Sequence, residues 1–426
     1  MNTDINAGTL KVQNKSVDDK IVSNESSFQK QPYLESGNIS IENFIKKTRK
    51  SNEKGVKWID FERFKNLKQI GEGSFAKVYS ATWLDGGKKF MYLDPVKKLK
   101  RISTYPDTVA LKSIKGSNGI STDYMRELEI YHKVTLDNVS LPFYGITKDP
   151  TSSEFMLVTG LGGASLRALL AKSFTRLSWQ SKISYLNFII KDLKKIHERG
   201  ICHKDLHSGN ILVKINFAWA YLTDFGLSGP SDKSSEKIYG VLGYVAPEVL
   251  KGKPYCTHAD IYSFGIIMTE FSSGFPPYFN NNNMDEAAFA LSICDGLRPD
   301  FGKGTPEIYK SLANKCMDAN PEKRPTAIEL YNIITYWNEC IGEEINNDDA
   351  KKIRMEFLTA NEEIPNVQPL FERNSGSSNF ANFKHVSKLI DFSEKISTSV
   401  NDLDTSLIEL KLSDDIDEDN DESIIV

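Results

Sequence analysis

The chain has 426 residues, 40% of them hydrophobic and 23 of them phenylalanine, enough for one large packed domain with flanking segments. Five scattered cysteines (Cys202, Cys256, Cys294, Cys316, Cys340) without a CxxC pair argue against a disulfide framework or a zinc knuckle. With no leader-like or membrane-spanning apolar run, the expectation is a soluble cytoplasmic protein with no membrane partner. The net charge of −4 divides unevenly: from Ile341 onward 20 acidic and 8 basic residues give −12, so the first 340 residues carry +8.

Residues 1–56 are rich in Asn, Ser, Asp and Lys and predict a disordered segment. Ordered composition begins at KWIDFERF, and the stretches KNLKQIGEG, AKVYSATW, TVALKSI and EFMLVTG predict short strands. Further on, SWQSKISYLNFIIKDLKKIHERG carries apolar residues at helical spacing, and helices dominate from there. Strands first and helices after predict an α+β fold in two lobes over residues 57–340. The connection from Asp85 to Asp107 holds six Lys or Arg between Lys88 and Arg101, and a solvated hairpin loop fits it better than a nucleic-acid contact.

Residues 341–426 predict an acidic, mostly disordered tail. Within it, residues 386–412 place Leu389, Ile396, Leu403 and Leu410 seven apart, with Val400 and Leu407 between. That pattern is either an amphipathic helix, for docking on the basic body, a partner or a second copy, or a chance spacing in a disordered chain.

Four stretches carry chemistry. In GEGSFAKVY, Gly71 and Gly73 let the backbone fold closely over a polyphosphate and aim N–H groups at it, although Ala76 stands where a strict GxGxxG would have its third glycine. In VALK, Lys112 lies inside an apolar strand and needs a carboxylate partner. Glu127, sharing a helical face with Tyr124 and Tyr131, suits it, and Glu129 points elsewhere. In HKDLHSGN, His203 and His207 stand four apart around Asp205. On a helix they would share a face as metal ligands; on a loop Asp205 would be the working residue. DFG (Asp224, Phe225, Gly226) follows 14 residues after Asn210.

These stretches, in this order and followed by APE (Ala246–Glu248), resemble the protein kinase superfamily over residues 57–340, closest to the tyrosine-kinase-like group of serine/threonine kinases. DIYSFG and CMDANPEKRP are similar to family motifs too. The resemblance implies a small β-rich lobe on a larger helical lobe, flexible tails, and phosphoryl transfer from ATP with Mg²⁺ to protein serine or threonine hydroxyls in intracellular signalling. It implies that Asp205 orients the substrate hydroxyl and accepts its proton. Asn210 and Asp224 would hold Mg²⁺, and Lys112, fixed by Glu127, would contact the α/β-phosphates. Ile70, Gly71, Gly73, Val78, Ala110, Thr159 (as gatekeeper), Gly160 and Leu161 would surround the nucleotide. Arg324 would pair with Glu248 inside the helical lobe.

The sequence departs from the family pattern at Lys204 (usually arginine), His207 (usually lysine in serine/threonine kinases) and Val241 (usually a threonine bonded to the catalytic aspartate), besides Ala76. These keep a second expectation in view, a pseudokinase acting as a nucleotide-binding or scaffold module.

Overall fold

A computed structural model describes residues 36–50, 55–73, 76–86, 90–92, 99–101, 106–114, 117, 121–136, 141–214, 219–230, 238–279, 284–342, 347–364 and 387–390. The first element corrects the expectation of disorder through residue 56. Asn38 caps a helix, α1 (Ile39–Lys50), its side-chain oxygen accepting from the Ser40 and Ile41 N–H groups at 2.9 and 3.3 Å. Ile41, Phe44, Ile45 and Thr48 recur at the spacing of one helical face and are buried, while Lys47, Arg49 and Lys50 complement the dipole at the last turn. Phe44 meets His132 edge-on at 6.1 Å between ring centroids. The apolar face outweighs the polar composition around it.

The small lobe follows with β1 (Lys57–Trp58), β2 (Phe64–Glu72), β3 (Ala76–Trp83), β4 (Phe90–Tyr92), β5 (Leu99–Arg101), β6 (Asp107–Ile114), α2 (Thr122–Leu136), β7 (Phe143–Lys148) and β8 (Phe155–Gly160). Among the described residues, one sheet runs β1-β7-β8-β6-β3-β2, and β4 with β5 forms an antiparallel ladder inside the basic connection. The register sets Val78 opposite Gly71 and Lys112, and Ala110 opposite Thr159, so these share one face of the sheet. The alternate residues Val109, Leu111, Met156 and Val158 face the other way and pack with Ile59, Phe64, Ala81 and Trp83 into a separate small core.

The larger lobe comprises β9 (Ala164–Ser165), α3 (Leu166–Ser173), α4 (Trp179–Glu198), β10 (Ile201–Cys202), β11 (Ile211–Lys214), β12 (Trp219–Leu222), β13 (Gly229–Pro230), β14 (Ile238–Gly240), α5 (Pro247–Leu250), α6 (Thr257–Ser273), α7 (Glu286–Cys294), α8 (Glu307–Cys316) and α9 (Ala327–Gly342). Every residue of α6 from Ala259 to Ser272 is buried, which makes it the axis of this lobe. Arg324 grips Glu248 with two 2.7 Å bonds below it, as the motifs led us to expect. This is the α+β, two-lobed architecture that strands before helices implied.

Two further elements correct the expected tail. Helix α10 (Asp348–Glu363) packs on the body through Phe357, Ala360 and the following Ile364, all buried. The expected boundary at 340 therefore falls short of the folded unit. The last element, β15 (Lys388–Ile390), pairs antiparallel with β14. Here the described part of the 386–412 stretch, read as either an amphipathic helix or a disordered chain, is a strand. A short segment with Ser and Thr nucleates a helix poorly, whereas the open edge of β14 supplies backbone partners at once. The other seam positions, Ile396 to Leu410, lie outside the described residues. All five cysteines are free thiols, and among the described residues no helix is long and apolar enough to cross a membrane.

Candidate active site

The site is built where the sheet face carrying Lys112 meets the loop after β10. The Lys112 ammonium donates to Glu127 Oε1 at 2.7 Å and to Asp224 Oδ1 at 2.8 Å. Glu127 is buried on α2 between Tyr124 and Tyr131, whereas Glu129 points outward and pairs with Lys47 at 3.1 Å. The choice between the two glutamates is thus decided by helical face. Burial alone would push the Lys112 ammonium down, but Asp224 and then Glu127 hold it well above its usual range, so it stays a cation.

HKDLHSGN is a loop ending in a short 3₁₀ turn over Ser208–Asn210, and no helix aligns its two histidines. The His203 ring is fully buried; its Nε2 lies 3.1 Å from the Thr223 carbonyl and its Nδ1 accepts from the Asp205 N–H at 3.4 Å. Both ring nitrogens are engaged within the fold, which removes this residue from any zinc reading. Buried Asp260 of α6 accepts from the His203 and Lys204 N–H groups at 2.7 and 3.0 Å and pairs with His197 at 2.9 Å. Burial would raise the Asp260 carboxyl, yet these donors hold it below its usual range, so a charged anchor fixes the loop. Lys204 and Asp224 both sit at positive φ (67° and 63°), a conformation costing roughly 1–3 kcal/mol that persists only where the surroundings impose it.

Asp205 is buried and accepts from the Asn210 side-chain nitrogen at 3.0 Å through Oδ2, while its backbone carbonyl accepts from the same nitrogen at 2.9 Å. That nitrogen being committed, the Asn210 amide oxygen is the group left for a cation. Asp224 adds a carboxylate whose side chain is 44% exposed. An amide oxygen and a carboxylate beside each other are hard oxygen donors, the set that suits Mg²⁺. Phe225 is fully buried, edge-on to Tyr131 at 5.2 Å and 5.4 Å from the His203 ring, so α2 and the loop are locked to the segment carrying Asp224.

Of the residues expected around a nucleotide, Val78, Ala110, Lys112 and Thr159 come together on one sheet face. Gly73 closes the glycine-rich turn by donating its N–H to the Ala76 carbonyl at 2.8 Å, at the position where the third glycine is lacking. Gly160 donates its N–H to the Pro142 carbonyl at 2.8 Å, and its carbonyl accepts from the Thr159 hydroxyl at 3.4 Å; Leu161 is partly buried and Ile70 is exposed. After Leu161 the chain presses against β11: a Cβ at Gly163 would collide with the Val213 carbonyl, which explains the glycine.

Sequence reasoning missed one residue of the site. Ser387, ahead of β15, donates its hydroxyl to Asp205 Oδ2 at 2.6 Å and lies 3.3 Å from His207 Nε2. A lone serine in a polar tail, 182 positions from Asp205, gives no local signal.

The description "protein kinase domain" matches residues 64–333 of this chain. A probable serine/threonine-protein kinase of Dictyostelium discoideum is 27% identical over 298 residues, 66% of this chain and 15% of that protein. Another of the same description is 27% identical over 283 residues, 65% of this chain and 28% of that protein. A probable LIM domain-containing serine/threonine-protein kinase of the same organism is 28% identical over 222 residues, 51% of this chain and 34% of that protein. The chain thus spans no more than about a third of the length of these relatives. A family match over more than half of the chain, on a fold in which Lys112 joins Glu127 to Asp224, establishes that this chain belongs to the protein kinases.

Proposed function

We propose that the chain is an ATP- and Mg²⁺-dependent serine/threonine protein kinase of the cell interior, the five free thiols fitting a reducing compartment. The observation that carries the reading is the Lys112 ammonium held between Glu127 and Asp224 while Asp205 faces a hydroxyl. Lys112 is a preorganised cation for the α/β-phosphates, its position fixed before substrate arrives. Asp205 aligns the acceptor hydroxyl and takes its proton, with Asn210 holding the carboxylate in place. Asn210 and Asp224 would hold Mg²⁺, which when bound draws the β- and γ-phosphate oxygens together and offsets their charge. Serine/threonine specificity is supported by the descriptions of the relatives and by the serine hydroxyl, shorter than a tyrosine, that reaches Asp205. That the sequence carries Lys112, Glu127, Asp205, Asn210 and Asp224 supports an enzyme over a scaffold.

Two substitutions test the roles separately. Asp205→Asn should lower phosphorylation of a generic protein substrate by a thousandfold or more, on the order of 4 kcal/mol of barrier, and keep Mg²⁺-dependent ATP binding. Asp224→Asn should lose that Mg²⁺ dependence as well. If titration of nucleotide with and without Mg²⁺ gives the same pair of affinities for both variants, the roles assigned to the two aspartates are wrong.

A further inference from the structure

We infer that Ser387 is a phosphoacceptor in cis: the tail strand delivers its hydroxyl to the chain's own active site, which phosphorylates it and thereby clears itself. The inference rests on the kinase reading above. Its geometry does not come from the motifs, because nothing in them involves residues 387–390.

Three contacts seat the segment. The ladder pairs Ile238 with Ile390, Tyr239 with Leu389 and Gly240 with Lys388, adding a strand to the segment between DFG and APE. Ile390 is buried in the main core, only 4% exposed, and the Lys388 ammonium pairs with the Glu286 carboxylate at the start of α7. An apolar anchor, an ion pair and a backbone ladder together fix the position of the residue immediately before them, and that residue is Ser387.

The hydroxyl is oriented as a nucleophile. His207 Nδ1 accepts from the Gly209 N–H at 3.0 Å, so the ring proton of the neutral imidazole sits on Nε2 and is donated to Ser387 Oγ at 3.3 Å. Ser387 in turn points its own proton at Asp205 Oδ2, 2.6 Å away. His207 holds one oxygen lone pair while the proton points at Asp205. In the step, the Oγ–phosphorus bond forms as the bond between the γ-phosphorus and the β,γ-bridging oxygen of ATP breaks. ADP leaves with that electron pair, and the hydroxyl proton passes to Asp205 and then to water. The position that the family usually fills with lysine thus holds, in this chain, a group that hydrogen-bonds the acceptor serine.

The product cannot stay. A phosphoserine carries about −1.5 to −2 charges and would lie against the Asp205 carboxylate, so repulsion expels the strand. Before phosphorylation the strand occupies the place an outside substrate needs, at the high effective concentration of a tethered segment.

The test uses the full chain, treated with phosphatase and then given Mg·ATP, with casein as the outside substrate. Mass spectrometry should find phosphate on Ser387, gained at a rate per molecule unchanged over a hundredfold dilution. Casein phosphorylation should show a lag, ending at a rate on the order of tenfold above the initial one. A chain ending after residue 364 should show no lag, and Ser387→Ala should stay at the low initial rate. Casein phosphorylated without a lag, at the full final rate, while Ser387 remains unmodified, or Ser387 labelled at a rate per molecule that rises with protein concentration, overturns the inference and leaves the kinase reading intact. Phosphorylation of neither would overturn both.

Discussion

At residue scale, Asp205 has one carboxylate oxygen at work and one with no hydrogen-bond donor among the described residues. Oδ2 takes Asn210 and Ser387, whereas the buried Oδ1 accepts no hydrogen bond and stands 3.7 Å from His207 Nε2. It faces the Gly240 backbone, next to the position where Val241 replaces the usual threonine. A buried acceptor left unpaired costs roughly 1–3 kcal/mol, so Val241→Thr, nearly equal in volume, offers the missing donor. The expected outcome is a kcat about fivefold higher, near 1 kcal/mol, and a melting temperature no lower than that of the parent. Steady-state kinetics on casein check it; a kcat unchanged or lower would mean that the free oxygen does not limit the alignment of Asp205. Lys112, Asp205, Asn210 and Asp224 were singled out in the sequence by the kinase resemblance, and the fold brings Lys112 onto Asp224 and Asn210 onto Asp205. The orphaned oxygen could not be read there: Val241 is visible as a departure, but its consequence depends on which carboxylate edge the fold turns toward it. Ser387 was illegible for the opposite reason, since its partner is close only in space.

At the scale of elements, α4 and the sheet strands stand where the sequence placed them; α4 and β8 carry long buried runs, whereas β2 is mostly exposed. Apolar periodicity passed over α1, whose four buried positions sit among lysines and asparagines, and neither reading of the tail, helix or disorder, held the short strand that pairs with β14. Helix α4 also buries a charge. Lys182 is fully enclosed, its ammonium 4.0 Å from the Phe174 ring centroid and 4.7 Å from that of Trp179, with no hydrogen-bond acceptor among the described residues. Burial pulls it down from 10.5 to about 7. Between those values the unfolded chain binds a proton that the folded one does not, so this residue makes stability rise with pH from about 7 toward 10.5. Lys182→Met keeps the aliphatic length and removes the charge. It should raise stability at pH 7.5 by a few kcal/mol, on the order of 2–4, with the gain shrinking as pH approaches 10. Urea denaturation at several pH values measures this directly, and a gain independent of pH would show that packing, not charge, sets the cost.

At the scale of the whole molecule, the question is where the folded unit ends. The family match stops at residue 333 and the composition shift suggested 340, yet α10 supplies part of the core. Phe357 is completely buried, its ring 5.7 Å from Trp179 and 5.6 Å from Trp337, and Asn361 accepts the Trp179 N–H at the head of α4 at 2.7 Å. Acidic composition hid this helix, because the boundary was drawn on average charge while the packing depends on a few apolar positions. A chain ending after Gly342 would expose two tryptophans and leave the Trp179 backbone N–H without its Asn361 acceptor. Removal of Phe357 alone should cost about 3–5 kcal/mol, a large share of the 5–15 kcal/mol typical of a domain. At about 2–4 °C per kcal/mol, that is a fall of roughly 6–20 °C in Tm. A chain ending after Ile364 should melt within a few degrees of the full chain. If the shorter truncation proves insoluble, Phe357→Ala in the longer one carries the same comparison. Equal midpoints for Phe357→Ala and its parent would show that α10 rests on the surface and that the folded unit ends near the family boundary after all.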